Sequence, residues 1–256
     1  MEIAVIGAGN MGSALAMALA KTGNAVAVSN PSSPKLERLR ESAPGLLTFN
    51  SNAEAARRAD IIVIAVKPWV LPDVIKELRE QLKRCKAVVS VVAGVEAAEL
   101  ASLIGEGAAP VYYVIPNTAV AVGEGMTFVS TNSTDATLDT MILNLLGLTG
   151  KVEMVASRLM NAGMAIASCG IAYAMRYVRA AVEGGVELGL YPAVATKAVA
   201  QTLRGAAALL EARGLHPEEE IDRVTTPGGI TIRGLNAMEA AGFSASVIAG
   251  IKASKL

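Results

Sequence analysis

At 256 residues the chain can bury a real core and suits one large or two modest domains. Lys plus Arg and Asp plus Glu each number 23, so no surplus of either sign points to nucleic acid or a charged membrane surface as a partner. No apolar run reaches the roughly 18 residues of a membrane span and no basic leader precedes the first strand, so a cytoplasmic location is expected. A hydrophobic share of 52% of the chain with only 4% of the chain aromatic implies an Ala/Val/Ile/Leu interior and enough apolar surface to hint at subunit contacts.

Residues 3–6 read as a strand, followed directly by Ile6-Gly7-Ala8-Gly9-Asn10-Met11-Gly12 and an apolar helix carrying Leu15 and Leu19. In a dinucleotide site Gly7 permits the tight turn, Gly9 lets backbone approach a pyrophosphate, Gly12 allows close helix packing, and the helix N–H groups favour the anion. A glycine-rich βα turn without a ligand has the same letters, so the strand before and the helix after carry the inference. Strand patterns at 25–28, 46–49, 61–66, 87–92, 111–115, 127–130 and 151–155 alternate with helical segments such as 36–40 and 70–82. That alternation predicts an α/β domain over 1–156, a Rossmann-type doubly wound and mostly parallel sheet.

Sites in such folds gather at the C-terminal strand ends. After the second strand, where an NAD site places Asp or Glu against the ribose 2′-hydroxyl, the chain reads Ser29-Asn30-Pro31-Ser32-Ser33 with Lys35 close by. This favours NADPH, with NADH as the alternative, although an ordinary Ser/Asn/Pro turn reads the same way. Asn52 either caps a helix or reaches the adenosine ribose. Ala65-Val66-Lys67-Pro68, Ala93-Gly94 and Pro116-Asn117-Thr118 end later strands and are expected to line the nicotinamide half of the cleft.

From residue 157 the strand signal disappears, and 157–256 is expected to form an all-helical dimerisation and substrate domain. Helices are predicted over 157–189, 193–213, 231–241 and 244–254, with the first break at Gly189-Leu190-Tyr191-Pro192. Around Met160 to Met175 apolar or small residues, including Gly163, Ala165, Ala167, Cys169 and Ala172, fall on nearly every face. A helix apolar all round must be covered, and partner subunits are the expected cover. Within this half Val224-Thr225-Thr226-Pro227-Gly228-Gly229-Ile230-Thr231 leads into a helix. Successive glycine N–H groups at a helix N-terminus make an anion nest for a small carboxylate, while a Pro-Gly turn with a threonine cap fits the same letters.

The chain resembles the pyrroline-5-carboxylate reductase family nearly end to end. The resemblance rests on I-G-A-G-N-M-G at 6–12, A-V-K-P at 65–68, S-V-V-A-G at 90–94, P-N-T at 116–118, G-M-T at 125–127, H-P at 216–217 and above all V-T-T-P-G-G-I-T at 224–231. It implies NADPH-dependent reduction of 1-pyrroline-5-carboxylate to L-proline. Thr226, Gly228, Gly229 and Ile230 would then hold the substrate carboxylate, and the Thr231 hydroxyl would face the ring nitrogen as the catalytic group. On the cofactor side it implies Ile6 through Met11, Ser29, Asn30 and Asn52 toward the adenosine and pyrophosphate, with Ala65, Val66, Lys67, Pro68, Ala93, Gly94 and Asn117 along the rest. It further implies a homodimer through the helical half, assembled into larger rings. The chain departs from the family pattern at Tyr113 (commonly Arg), Ala119 (commonly Pro) and across 165–171.

Reduction of a protonated cyclic imine asks little of side chains beyond holding the carbon at the hydride donor and excluding water. Cys85 and Cys169 match no metal spacing and His216 is the only histidine, so neither a metal site nor a Ser-His-Asp triad is expected. A β-hydroxyacid-type dehydrogenase would place a lysine on the long helix, and 157–189 contains none. A redox-sensing module that binds cofactor without turnover is the other alternative, suggested by the departures at 165–171.

Overall fold

The computed structural model describes residues 1–21 and 23–254. The chain divides into two compact units, Met1–Ser168 and Cys169–Leu256.

In the first unit β1 (Glu2–Ile6), β2 (Ala25–Ser29), β3 (Leu47–Phe49), β4 (Ile61–Ile64), β5 (Ala87–Ser90), β6 (Val111–Pro116), β7 (Gly125–Thr131) and β8 (Gly150–Met154) form one sheet in the order β3-β2-β1-β4-β5-β6-β7-β8. The first six positions are parallel, β7 runs antiparallel to β6, and β8 is parallel to β7. The reversal at β7 follows from its short link to β6, because only a crossover of a dozen or more residues can return a chain for parallel pairing. Strand order reverses between β1 and β4, which defines the switch point where doubly wound sheets bind ligands.

Both sheet faces are covered, which is why central strands such as Ile61–Ile64 and Val111–Pro116 are buried at every residue. On one face α1 (Asn10–Ala20), α2 (Ser33–Ser42) and α6 (Ala136–Gly147) set Leu15, Leu19, Leu36, Leu39, Ile142 and Leu146 into the core. On the other, α3 (Asn52–Ala56), α4 (Leu71–Arg84) and α5 (Ala97–Ile104) contribute Ala55, Val74, Ile75, Leu78 and Leu100. Helix α4 has its ends matched to the helix dipole, with Asp73 in the first turn and Lys83 and Arg84 in the last. The fourth and fifth strands stop at Ile64 and Ser90, two residues short of the expected ends. Their last residues leave the ladder and become cleft wall.

The expected helix over 157–189 is a helical path with a changed pitch. A single turn at Ser157–Leu159 leads into α7 (Met160–Gly163), then a wide-turned segment at Met164–Cys169, then α8 (Gly170–Glu187). Residues 157–168 remain with the sheet, so the first unit ends past the expected boundary at 156. Met160 is buried in the sheet's core, Asn117 Nδ2 donates to the Ala167 carbonyl at 3.3 Å, and Ser168 Oγ donates to the Pro116 carbonyl at 3.1 Å.

The second unit continues with α9 (Pro192–Arg213), α10 (Pro217–Val224), α11 (Ile230–Ala240) and α12 (Phe243–Ala253). Pro192 opens α9 and Gly214, at φ +61°, closes it. Helix α10 adds to the expected set: His216 Nδ1 accepts the Glu218 N–H at 3.3 Å, and three glutamates occupy its first turn. Among the described residues of this unit only Ala195, at 1% exposure, is buried.

Candidate active site

The parallel register sets Ile6 beside both Ser29 and Ile64, so the carboxyl ends of β1, β2 and β4 open at one level. The Gly7 N–H donates to the Ser29 carbonyl at 2.9 Å and the Ala65 N–H to the Ile6 carbonyl at 2.8 Å, which holds three loops in register. Gly7 has φ +107°, and a Cβ there would lie 2.6 Å from the Ala65 carbonyl oxygen. A Cβ on Gly12 would meet the Gly7 carbonyl at 2.0 Å, so the turn and helix α1 cannot approach this closely with larger residues. Gly9 differs, since a Cβ there would meet nothing within 4 Å. The two tight glycines thus shape a cradle and the third faces open space at the start of an 11-residue helix with no acidic residue in its first turn. Such a cradle fits a pyrophosphate.

The cradle is one end of a cleft of about 830 Å³ that brings together most of the residues expected from sequence. Gly7, Gly9, Asn10, Met11, Ser29, Asn30, Asn52, Ala65, Val66, Lys67, Pro68 and Ala93 all line it. Ile6, Ala8, Gly94 and Asn117 do not. Ile6 is wholly buried in β1, and Ala8 faces inward with its N–H donating to Asn30 Oδ1 at 3.2 Å. Asn117 Oδ1 accepts the Ala119 and Met126 N–H groups at 3.2 and 3.3 Å, and its amide nitrogen is spent on Ala167, so the side chain knits β6 to its surroundings. Gly94, at φ +79°, donates its N–H to Tyr113 Oη at 3.3 Å. Tyr113 is buried, which pushes its phenol above the ordinary value.

The structure also brings Pro31, Lys35, Asn50, Val70, Val74, Glu77 and Val91 into the cleft wall. Asn50 Nδ2 donates to the Asn30 carbonyl and to Ser33 Oγ, each at 3.2 Å. Ser29 Oγ donates to Asn52 Oδ1 at 2.7 Å, and Asn52 Nδ2 donates to Glu77 Oε2 at 2.7 Å. Asn52 is thus the first residue of α3 with its side chain turned to the cleft, while the cap of that helix is Ser51, which accepts the Glu54 N–H. Trp69, the only tryptophan, stands 75% exposed on the turn behind Lys67-Pro68.

In the second unit the loop at 224–231 forms a turn in which one of the two glycine N–H groups expected to face an anion is already bound. Gly228 has φ +68°, the Gly229 N–H donates to the Thr226 carbonyl at 2.9 Å, and a Cβ on Gly229 would collide with Thr226 Oγ1. Gly229 caps α11 with no side chain bound to the helix end, so the first N–H groups at Ile230 and Thr231 point outward without intrahelical acceptors. Ile230 is 81% exposed, and Thr226, Gly228, Gly229 and Thr231 share the loop's surface. Thr225, by contrast, turns its hydroxyl back to the Asp222 carbonyl at 3.1 Å. No cluster of three or more metal-ligating side chains occurs among the described residues.

A doubly wound sheet with a glycine cradle at its switch point and a nucleotide-sized cleft beside it defines a nicotinamide-dinucleotide-dependent oxidoreductase. A family model described as pyrroline-5-carboxylate reductase dimerisation matches residues 157–256, and one described as NADP oxidoreductase coenzyme F420-dependent matches residues 2–94. The chain is 32% identical to pyrroline-5-carboxylate reductase 2 of Dictyostelium discoideum, over 98% of this chain and 89% of the relative. It is 33% identical to the Escherichia coli (strain K12) pyrroline-5-carboxylate reductase, over 96% and 93%. Against pyrroline-5-carboxylate reductase 1 of D. discoideum, at 35% identity, it spans about half the relative's length, 48%. Among solved structures, a pyrroline-5-carboxylate reductase from Coxiella burnetii superposes with a TM-score of 0.89 at 28% identity, covering 99% of this chain and 95% of the other. The Plasmodium falciparum pyrroline carboxylate reductase, solved with NADP bound, gives 0.87 at 27% identity with the same coverage. The chain belongs to the pyrroline-5-carboxylate reductase family. The reaction that goes with membership is the NAD(P)H-dependent reduction of 1-pyrroline-5-carboxylate to proline, a step of proline biosynthesis.

Proposed function

We propose that the cleft of the first unit holds NADPH, with NADH as the alternative donor, and that the loop at 224–231 holds the imine substrate. The observation that carries this reading is the pairing, in one chain, of an open-faced glycine cradle with an exposed N–H nest at a helix start. Lys35, Ser32 and Ser33 serve the 2′-phosphate, since they supply positive charge and hydroxyl donors after β2. The N–H groups of Gly228, Gly229's neighbour Ile230 and Thr231, together with Thr226, bind the substrate carboxylate. The bound cofactor supplies hydride to the imine carbon. The Thr231 hydroxyl orients the ring nitrogen, and the apolar residues Ile230 and Val224 beside it keep water from the iminium.

The second unit dimerises with that of another copy. With one buried residue among those described, the unit closes little interior of its own, and its exposed apolar side chains, among them Met175, Leu188, Tyr191 and Ile248, supply one when two copies pack. Assembly of dimers into a ring and residence in the cytoplasm belong to the same proposal; no helix among the described residues is long and apolar enough to cross a membrane. The test is steady-state oxidation of NADPH and of NADH by the purified chain with 1-pyrroline-5-carboxylate. Turnover with proline as product supports the reading. Absence of turnover while another imine or carbonyl is reduced removes the substrate assignment.

A further inference from the structure

We infer that Glu77 sets the balance between NADH and NADPH, as a carboxylate anchored by Asn52 and displaced from the position where NAD sites carry one; this rests on the cleft's being the cofactor site. Nothing acidic follows β2 in the sequence, and Ser29-Asn30 stands where an Asp or Glu would meet the ribose 2′-hydroxyl. The fold restores a carboxylate there at one remove. Glu77, a full helix away on α4, lines the same cleft as Ser29, Asn30, Lys35 and Asn52.

The bonding leaves little freedom. A carboxylate only accepts, so the two atoms it receives, Asn52 Nδ2 at 2.7 Å and the Ala53 N–H at 3.3 Å, are donors by necessity. This assigns the Asn52 amide: nitrogen toward Glu77, oxygen away. The oxygen then takes the Ser29 hydroxyl proton at 2.7 Å. Ser29 is wholly buried, so this bond fixes the Asn52 amide from behind and leaves the exposed Glu77 carboxylate as the group on the cleft side. A ribose 2′-hydroxyl can donate to the remaining lone pairs of that carboxylate. A 2′-phosphate, which brings only acceptors and about two negative charges at neutral pH, cannot. Glu77's own charge opposes the phosphate again, weakened by solvent and salt because the side chain is exposed. Lys35, lining the same cleft, is the opposing element. The two charges of opposite sign make the adenosine end a balance, with Glu77 on the NADH side.

Trp69 provides a binding readout independent of turnover, since it is the only tryptophan and stands next to the cleft residue Pro68. Titrating the full-length protein with NADH and with NADPH, and following quenching of Trp69 emission, gives two dissociation constants. Glu77→Gln keeps an acceptor for Asn52 and removes the charge, and it is expected to shift the ratio of the two constants about tenfold toward NADPH, less at high salt. Asn52→Ala removes the donor that holds Glu77 at the cleft and is expected to shift the ratio the same way by a smaller factor. Lys35→Ala should move the ratio the other way. The kcat/KM ratio for the two donors should follow, with the change in KM. A purely structural role for Glu77 would weaken both cofactors equally. If the Glu77→Gln and Asn52→Ala proteins, folded by thermal melt, keep the wild-type ratio within about twofold, the inference is overturned. If the wild-type protein binds neither dinucleotide, the reading of the cleft falls and the inference with it.

Discussion

The two units of the chain bury apolar surface in opposite ways. The first places Ile3, Val5, Leu15, Val28, Ile61, Leu78 and Tyr112 in two continuous layers on either side of a sheet, and its polar interior atoms are nearly all bonded. The second is as rich in apolar residues yet buries only Ala195 among those described. A sheet wound on both faces closes its own core, because each crossover helix returns to cover the strand it left. A run of helices with short links has no such internal template, and its interior waits for a second copy. The proposed cofactor cleft therefore belongs to a region that is complete in one chain, whereas the proposed substrate loop belongs to one that is not.

The sharpest way to break this comparison is at the incomplete unit. Met175→Arg combined with Ile248→Arg, at positions 63% and 59% exposed, should convert the dimer to monomer in size-exclusion chromatography and cut turnover at least a hundredfold. Binding of NADPH by the first unit should survive. If the double variant remains a fully active dimer, the helical surface is not the interface. Next in size is Gly12→Val, which forces a side chain into the Gly7 carbonyl; a loss of about 3 kcal/mol of stability is expected from overpacking, together with loss of cofactor binding, checked by thermal unfolding and Trp69 titration.

Thr231→Ala tests the loop alone. Its kcat should fall by a factor of about ten to a thousand, as for removal of one neutral donor, with NADPH affinity unchanged. The smallest expected effect lies at the amino ends of the central strands, where Asp60 accepts the Glu2 N–H and the Lys86 ammonium, each at 3.0 Å. The Glu2 N–H first, and then Lys86, hold its carboxyl below the usual carboxylate range. A depressed folded-state pKa contributes stability above the unfolded value, and that stability is lost as pH falls through the folded one. Asp60→Asn should therefore cost about 1 kcal/mol near neutral pH, with the gap to wild type closing in acid melts.

Much of the candidate site could be read from the chain because local rules govern it. The fingerprint at 6–12 and the loop at 224–231 are contiguous, and their glycines are demanded by φ values and close approaches within a few residues of each other. Asn52 was legible only as an alternative between cap and ligand contact, and the fold resolves it by giving the cap to Ser51. Glu77 gave no signal, because on an amphipathic helix a carboxylate between Lys76 and Leu78 reads as solvated surface. The changed pitch at Met164–Cys169 was equally silent, since periodicity alone does not separate a wide turn from a regular one.

By itself the sequence determined the alternation that winds the sheet, the glycine cradle, the helical second half and its anion loop. These follow from short-range sterics and the period of apolar residues. Only the tertiary structure decided which distant side chains meet: that α3 and α4 pack so Glu77 reaches Asn52 across 25 residues, and that Asn52 in turn spends the proton of Ser29. Hydrogen-bond direction is set by partners in space, so which way the Asn52 amide faces was never written in its neighbours along the chain.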